Sequence, residues 1–200
     1  MTQTKPRHSG RPRSENAASH EAIMDAVYAL LQECPARDLT MEAVAKKAGV
    51  GKPTLYKWWP SKAALIFAMF HERLADQPEM PAAASAEAAL RARVRRLIAA
   101  LNGQFGKVMA ELIAEGQSDP ALLHELYERH IRMRREAALA DILRGKASGE
   151  FAAQLNAELV LDAIIGAIYY RLLLRTGPLD EAYGEALIDQ AIAGGVPIKD

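Results

Sequence analysis

Apolar positions along this chain recur three or four residues apart, and the strict alternation typical of strands is missing. That spacing places apolar side chains on one face of an α-helix. Ala, Leu, Glu and Arg dominate, and these residues favour helix over strand. The pattern therefore predicts an all-α fold of about nine helices.

Capping residues, glycines and prolines set the predicted helix ends. The first helix is expected from about Ser19 to Glu33, because Pro35 follows it. Residues 145–149 are expected to form a loop. The other helices are predicted over approximately residues 41–48, 52–59, 62–74, 85–102, 104–115, 119–144, 157–175 and 181–193.

Two short predicted helices joined by Gly49-Val50-Gly51 form a helix-turn-helix, which places its second helix in the DNA major groove. In that second helix Leu55 and Trp59 lie one turn apart and should face inward. The outward face then carries cations, hydroxyls and an aromatic ring, which suit phosphates and base edges. These outward residues are Lys52, Thr54, Tyr56, Lys57 and Trp58.

The distribution of charge supports a polyanionic partner for the N-terminal part. The whole chain has no formal net charge, yet residues 1–62 hold ten basic and six acidic side chains. Such asymmetry is expected when one part of a protein meets nucleic acid. The single cysteine, Cys34, excludes intramolecular disulfides and fits a reducing cytoplasm. Charges interrupt the most apolar segment, which predicts a buried helix and no membrane span.

The run from Leu39 to Phe70, LTMEAVAKKAGVGKPTLYKWWPSKAALIFAMF, resembles the DNA-binding domain of the tetracycline-repressor (TetR) family of bacterial regulators. The resemblance implies a homodimer with three DNA-reading helices and a ligand-responsive C-terminal domain. By position it implies phosphate contacts for Thr40, Tyr56 and Lys62, and contacts at or near base edges for Lys52, Pro53, Thr54, Lys57 and Trp58. Pro53 has no amide hydrogen, so its contact would be by shape.

The predicted organisation has three parts: a disordered basic arm over residues 1–18, a DNA-binding domain over 19–65, and a ligand-binding and dimerisation domain over 66–200. Arg11 and Arg13 flank a proline in the arm. Such a segment either enters a narrow minor groove or adds non-specific affinity through counterion release. The sequence leaves these two roles open.

The predicted helix from Asn156 to Arg175 is apolar around most of its circumference, so it must be covered on more than one side. A partner subunit would provide the second cover, with Gly166 permitting close approach. Burial wholly inside one chain is the alternative. The candidate interface residues are Ile164, Ile168, Leu172, Leu187 and Ala191.

A ligand pocket is expected among the central helices, lined by large, adaptable side chains. The arginine-rich stretches 91–96 and 132–135 are interpreted as solvated helix faces. No spacing of the histidines favours a metal site, and no cofactor is predicted. The pocket candidates are Phe105, Met109, Leu112, His124, Tyr127 and Tyr169, with Met133 and His130 as further possibilities.

Together these features predict a cytoplasmic DNA-binding regulator, a repressor, that binds a pseudo-palindromic operator as a dimer and is released by a small-molecule effector. One alternative is a regulator without a ligand. A second is a helical enzyme, which the sequence does not favour because it shows no nucleophile beside a base, no paired carboxylates and no metal-binding cluster.

Overall fold

A computed structural model describes residues 13–75 and 84–193 of the 200-residue chain. Within these ranges every regular element is helical, and α7, a π-helical turn and α8 run on as one segment. The elements are α1 (Arg13–Glu33), a 3-10 turn (Ala36–Asp38), α2 (Met41–Lys47), α3 (Lys52–Trp58), α4 (Lys62–Ala75), α5 (Ala86–Leu101), α6 (Gln104–Gly116), α7 (Pro120–Leu126), the π turn (Tyr127–Ile131), α8 (Arg132–Ser148), α9 (Ala157–Leu174) and α10 (Glu181–Ala193).

The predicted all-α fold is confirmed for the described part of the chain. Local capping explains most helix starts: the Thr40 hydroxyl accepts from the Ala43 amide at 3.1 Å, and Ser85 caps α5 in the same way at 3.0 Å. The side-chain oxygen of Asn156 accepts from two amides at the start of α9. Each bond satisfies an amide that has no partner inside its helix.

Two predicted boundaries were wrong. Helix α1 begins at Arg13, so residues 13–18, assigned to a disordered arm, have a helical backbone. Helix α8 continues to Ser148, through the predicted loop. Gly145 is buried there, and the Phe151 ring packs so closely against it that a Cβ atom would lie 2.3 Å from the ring. The chain leaves the helix at Gly149, whose φ of +80° suits glycine.

The N-terminal domain consists of α1, α2 and α3 packed on the first turns of α4. Its core includes Val27, Val44 and Leu55, all fully buried. Helix α4 then runs into the C-terminal domain, where it contacts α7 and the π turn. The hydrophobic cores of the two domains form one cluster, so a displacement of α4 would change the packing in both domains.

The C-terminal domain is built around α5, which packs on α6, α8 and α10, while α9 packs on α8 and α10. Gly184 of α10 is buried and permits this packing, since a Cβ atom there would lie 2.6 Å from Ile98 of α5. Among the described helices, none is long and apolar enough to cross a membrane.

Candidate nucleic-acid interface and ligand cavity

The turn between α2 and α3 fixes the angle at which α3 leaves the domain. Gly49 adopts a φ of +66°, a conformation that costs glycine little. The Val50 amide donates to the Ala45 carbonyl at 3.0 Å, which closes the end of α2. Pro53 lies in the first turn of α3, where a missing amide hydrogen costs nothing. The predicted helix-turn-helix is therefore present in its local detail.

Helix α3 has the two faces that its sequence predicts. Leu55 is 0% exposed and Trp59 is 8% exposed, and both belong to the domain core. Tyr56 is 52% exposed and Trp58 is 58% exposed. Two consecutive tryptophans thus take opposite roles, one holding α3 in place and the other facing solvent. An exposed tryptophan and tyrosine on one short helix are unusual for a surface without a partner.

The cations on and beside α3 are arranged around these rings. Lys57 is exposed, and its Nζ lies 5.7 Å from the centroid of the Trp58 ring. Lys52 forms an ion pair with Glu42 of α2, and both side chains remain partly accessible to solvent. Exposed pairs of this kind contribute little to stability. A phosphate can therefore replace Glu42 as the partner of Lys52 at small cost.

Two residues at the start of α4 face the C-terminal domain. The Ser61 hydroxyl donates to the carboxylate of Glu125 in α7 at 2.9 Å and accepts from the Ala64 amide at 2.9 Å. Lys62 donates from Nζ to the Arg37 carbonyl at 3.1 Å. It also lies 3.5 Å from a carboxylate oxygen of Glu115 in α6. Lys62, predicted to bind phosphate, is thus half-buried and engaged within the protein.

The N-terminal arm is described only in part. Arg11 lies outside the described residues, and for Arg13 only the helical backbone is described. Thr40, the remaining predicted phosphate ligand, is exposed at the N-terminus of α2, beside Glu42 of the same turn.

A cavity of about 570 Å³ opens between α5, α8 and α9 of the C-terminal domain. Its apolar wall includes Leu90, Val94 and Leu97 of α5 and Leu161 and Ile165 of α9. The size lies within the range of small-molecule sites, about 300–1,000 Å³. His71 of α4 contributes to the lining, which brings the helix that leaves the N-terminal domain to the edge of the cavity.

The polar wall of the cavity is basic. Four arginines line it, Arg93 and Arg96 from α5 and Arg134 and Arg135 from α8, together with His130 and Tyr169. Burial, followed by the charges of Arg134 and His71, lowers the pKa of His130 to about 3, so this imidazole is neutral at pH 7. Burial also raises the pKa of Tyr169, against the opposing charge of Arg134.

The structure brings together only part of the predicted pocket. Phe105, Tyr169 and His130 line the cavity. Met109 and Leu112 lie instead in closed core with 1% exposure each. The side chains of His124, Tyr127 and Met133 are on the outer surface and do not line this cavity. Helical periodicity alone does not distinguish a residue beside a void from one in filled core.

The interpretation of the arginine-rich stretches as solvated faces was incomplete: four of these arginines line the cavity, Arg93, Arg96 and Arg135 as half-buried side chains and Arg134 as an exposed one. A pattern in the sequence could have identified them. Arg93 falls between Leu90 and Leu97 on the inner face of α5, and Arg134 falls between Ile131 and Ala138 on the inner face of α8. A charged residue at an inward position needs a partner or a polar cavity.

Helix α9 presents an exposed apolar stripe on the side opposite its buried face. The stripe recurs at the helical spacing of one face and consists of Leu159, Ala163, Gly166, Tyr170 and Leu174. A Cβ atom at Gly166 would have nothing within 4 Å. Two of the predicted interface residues are corrected: Ile164 and Ile168 are 0% exposed inside a single protomer, with no surface left for a partner. Leu172, Leu187 and Ala191 are half-buried.

Two family models match this chain. The model described as "Bacterial regulatory proteins, tetR family" matches residues 23–69, which contain α2, α3 and the turn between them. The model described as "Tetracyclin repressor-like, C-terminal domain" matches residues 64–191, which contain the cavity and the α9 stripe. The two matches meet within α4.

Individual proteins agree with these matches. The chain is 35% identical over 185 residues to the uncharacterized HTH-type transcriptional regulator YdeS of Bacillus subtilis, covering 92% of each chain. The crystal structure of the TetR family transcription regulator SCO0332 matches with a TM-score of 0.73 and 30% identity, covering 90% of this chain and 99% of that one. The transcriptional regulator FadR of Bacillus subtilis, solved in complex with stearoyl-CoA, has the same fold, with a TM-score of 0.69, 19% identity and coverage of 88% of this chain and 98% of that one. The chain therefore belongs to the TetR family of bacterial transcriptional regulators.

Proposed function

We propose that this protein is a cytoplasmic repressor that binds a pseudo-palindromic operator as a homodimer and leaves it when a small molecule occupies the cavity. The observation that carries the proposal is the division of α3, which buries Leu55 and Trp59 and exposes Tyr56, Lys57 and Trp58. A helix held from one side and bare on the other is the form that enters a major groove.

The exposed residues divide by chemistry into two roles. The hydroxyls of Thr40 and Tyr56 are assigned to phosphate oxygens, which set the register of the protein on DNA. Contacts at base edges are assigned to residues along the outer face of α3. Lys62 would have to leave the Arg37 carbonyl and Glu115 to reach a phosphate, so we give it no primary role. The base-edge residues are Lys52, Pro53, Thr54, Lys57 and Trp58.

The α9 stripe supports the proposed dimer. In a twofold interface the same surface serves both copies, so the stripe of one protomer would pack on that of its partner. Gly166 lies in the middle of the stripe with open space before it, which allows two helices to approach closely. Leu172 of α9 and Leu187 and Ala191 of α10 are half-buried, which leaves part of each side chain available to a partner.

The cavity supports ligand control over the alternative of a regulator without an effector. Its lining includes His71 of α4, and only three residues separate the end of α3 from the start of α4. A ligand that prefers one position of α4 would change the distance between the two reading helices of a dimer. The ligand would then weaken DNA binding, and by linkage DNA would weaken ligand binding by the same factor. FadR, solved in complex with stearoyl-CoA, is an example of a protein with this fold that binds a small molecule.

Selection of bound fragments from random or genomic DNA tests the proposal. We expect enrichment of one motif with two inverted half-sites. The mass of the complex should correspond to an even number of protomers on each DNA fragment. The control is a variant with Tyr56, Lys57 and Trp58 all replaced by alanine, which should keep its helical spectrum and enrich nothing. No enrichment by the wild-type protein, or an asymmetric site bound by one protomer, would contradict the proposal.

A further inference from the structure

The residues that line the cavity carry an excess of positive charge. Four guanidinium groups lie around its wall, and no Asp or Glu is present among the described residues that line it. Arginine remains protonated in proteins, so each of these groups is a permanent positive charge. Where no neighbouring carboxylate offsets it, such a charge favours an anion in the cavity over a cation.

Arg93 and Arg135 of this lining pair with carboxylates outside the cavity. Arg93 pairs with the buried carboxylate of Asp141, which also accepts from Arg144 at 2.7 Å. One carboxylate therefore serves two guanidinium groups. Arg135 pairs with Glu158 and with Asp162 of α9, the latter at 2.6 Å. These pairs hold α5, α8 and α9 together.

Arg134 differs from them. Its Nη1 donates to the backbone carbonyl of His130 at 2.7 Å and lies 3.1 Å from Nδ1 of the same residue. Within the described parts of the chain no carboxylate lies within 4 Å of its guanidinium. Burial lowers the pKa of Arg134, and the charge of Arg96 lowers it further, against an opposing effect of Tyr169. The side chain of Arg134 is exposed at the cavity, so an anion can reach its guanidinium, which has no carboxylate partner among the described residues.

The rest of the lining constrains the other end of a ligand. Between the arginines the wall is formed by Leu, Val, Ile and Phe side chains, which favour an apolar body and offer it few hydrogen bonds. The open side of the cavity leaves room for a larger polar group outside.

We infer that the effector of this regulator is an amphipathic organic anion, whose carboxylate or phosphate binds the guanidinium of Arg134 and whose apolar body lies between α5 and α9. The inference rests on the proposed function, in which a ligand in this cavity releases DNA. Planar oxyanions match the guanidinium fork in two parallel hydrogen bonds. A free carboxylic acid and a thioester of coenzyme A share this chemistry and differ in where the negative charge lies.

Matched probes test the inference by calorimetry on the full-length protein. The probes are hexadecanoate, hexadecanol, hexadecanoyl-coenzyme A and a hexadecyl trimethylammonium salt, each kept below its micelle concentration. We expect the two anions to bind at least about tenfold more tightly than the alcohol. Preference for hexadecanoate indicates that a carboxylate is the group bound by Arg134, and preference for the thioester indicates that a phosphate is; either result supports an anionic ligand.

Variants assign the charge to Arg134. Arg134→Met keeps the length and removes the charge, and should weaken anion binding about ten- to hundredfold while leaving the alcohol unchanged. Arg134→Lys should restore part of the affinity. Arg132→Met is the matched control, because Arg132 lies on the same helix, pairs with Glu128 and Glu136 and does not line the cavity. A melting curve for each variant establishes that it is folded.

The outcomes separate this inference from the proposed function. Equal binding of alcohol and carboxylate, or an unchanged anion affinity in Arg134→Met, overturns the anionic ligand. If a neutral or cationic probe releases the selected DNA, ligand control stands and the inference fails. If no probe binds, the inference fails, while operator selection still decides whether the protein is a DNA-binding regulator.

Discussion

The ring of Phe67 in α4 stacks on the imidazole of His130, with centroids 5.7 Å apart and an angle of 22° between the planes. The centroid of the His130 ring also lies 5.0 Å from that of Phe105, and His130 lines the cavity. One buried histidine thus touches both the helix that leaves the DNA-binding domain and the proposed effector site. A ligand that moved His130 would act on α4 through direct packing, without a longer chain of contacts.

The low pKa of His130 predicts an acid-labile fold. Its pKa is about 3 in the folded protein against 6.5 for a solvated imidazole, so below pH 6.5 the unfolded chain binds a proton that the folded chain does not. Stability must therefore fall as the pH decreases through this window, by about 1.4 kcal/mol per pH unit. Between pH 7 and pH 5 the contribution of His130 to the free energy of unfolding should fall by about 2 kcal/mol.

Urea denaturation of wild type and His130→Gln at both pH values measures this effect. Glutamine does not titrate, so the variant should lose about 2 kcal/mol less than wild type over the same interval, although it is less stable at pH 7. The control is His124→Gln, at an exposed histidine of α7, which should behave as wild type. Equal losses in wild type and His130→Gln would show that His130 is not held neutral.

The parts of this fold that follow from local rules are predictable from the sequence. Thr40 caps α2, Gly49 ends it, and Leu55 and Trp59 fall on one face of α3 because they are four residues apart. These features depend on neighbours within one turn of helix, which the sequence specifies directly. The division of α3 into a buried and an exposed face was therefore predictable from the sequence.

The cavity was not predictable in the same way. Whether Arg134 faces a void depends on how far apart α5, α8 and α9 are held, and that distance is set by contacts between distant residues such as Arg93 and Asp141. The π turn adds a further shift, because one extra residue in a helical turn rotates every later side chain. A regular helical wheel drawn through residues 120–144 therefore misplaces the residues that follow the π turn.

Lys57 should contribute to operator affinity through charge. Lys57→Ala is expected to weaken binding about tenfold at moderate ionic strength and to reduce the slope of log affinity against log salt concentration by about one. Fluorescence anisotropy on the selected operator at several salt concentrations measures both. Lys107→Ala is the control, since Lys107 is equally exposed but lies on α6 of the C-terminal domain. An unchanged slope would remove Lys57 from the interface.

Gly106 should tolerate no larger residue. A Cβ atom there would lie 1.8 Å from the backbone carbonyl oxygen of Leu101, which cannot move without displacing the end of α5. Gly106→Ala is therefore expected to lower the free energy of unfolding by at least about 2 kcal/mol. Gly103→Ala, three residues earlier, meets nothing closer than 3.5 Å and should cost far less. Similar melting temperatures for the two variants would contradict the close approach of α5 and α6.

The α9 stripe makes a prediction about assembly that distinguishes an interface from a bare surface. On a bare helix, Gly166→Ala should stabilise the protein by about 1 kcal/mol, because alanine has the higher helix propensity. At a close helix contact the added methyl group should instead weaken the dimer, by about tenfold or more in dissociation constant. Sedimentation equilibrium on wild type and Gly166→Ala measures the assembly, and urea denaturation measures the fold.

A second pair of variants completes that test. Tyr170→Ala removes a side chain that is 55% exposed within one protomer, and it should shift the protein towards monomer while leaving the folded protomer intact. Met133→Ala is the control, because Met133 is 71% exposed but lies on α8, outside the stripe. Since an operator with two half-sites is bound by both reading helices together, the Tyr170 variant should also lose affinity for DNA without any change in α3. A wild-type protein that stays monomeric at micromolar concentration, or a Tyr170 variant that dimerises as wild type does, would move the interface away from α9.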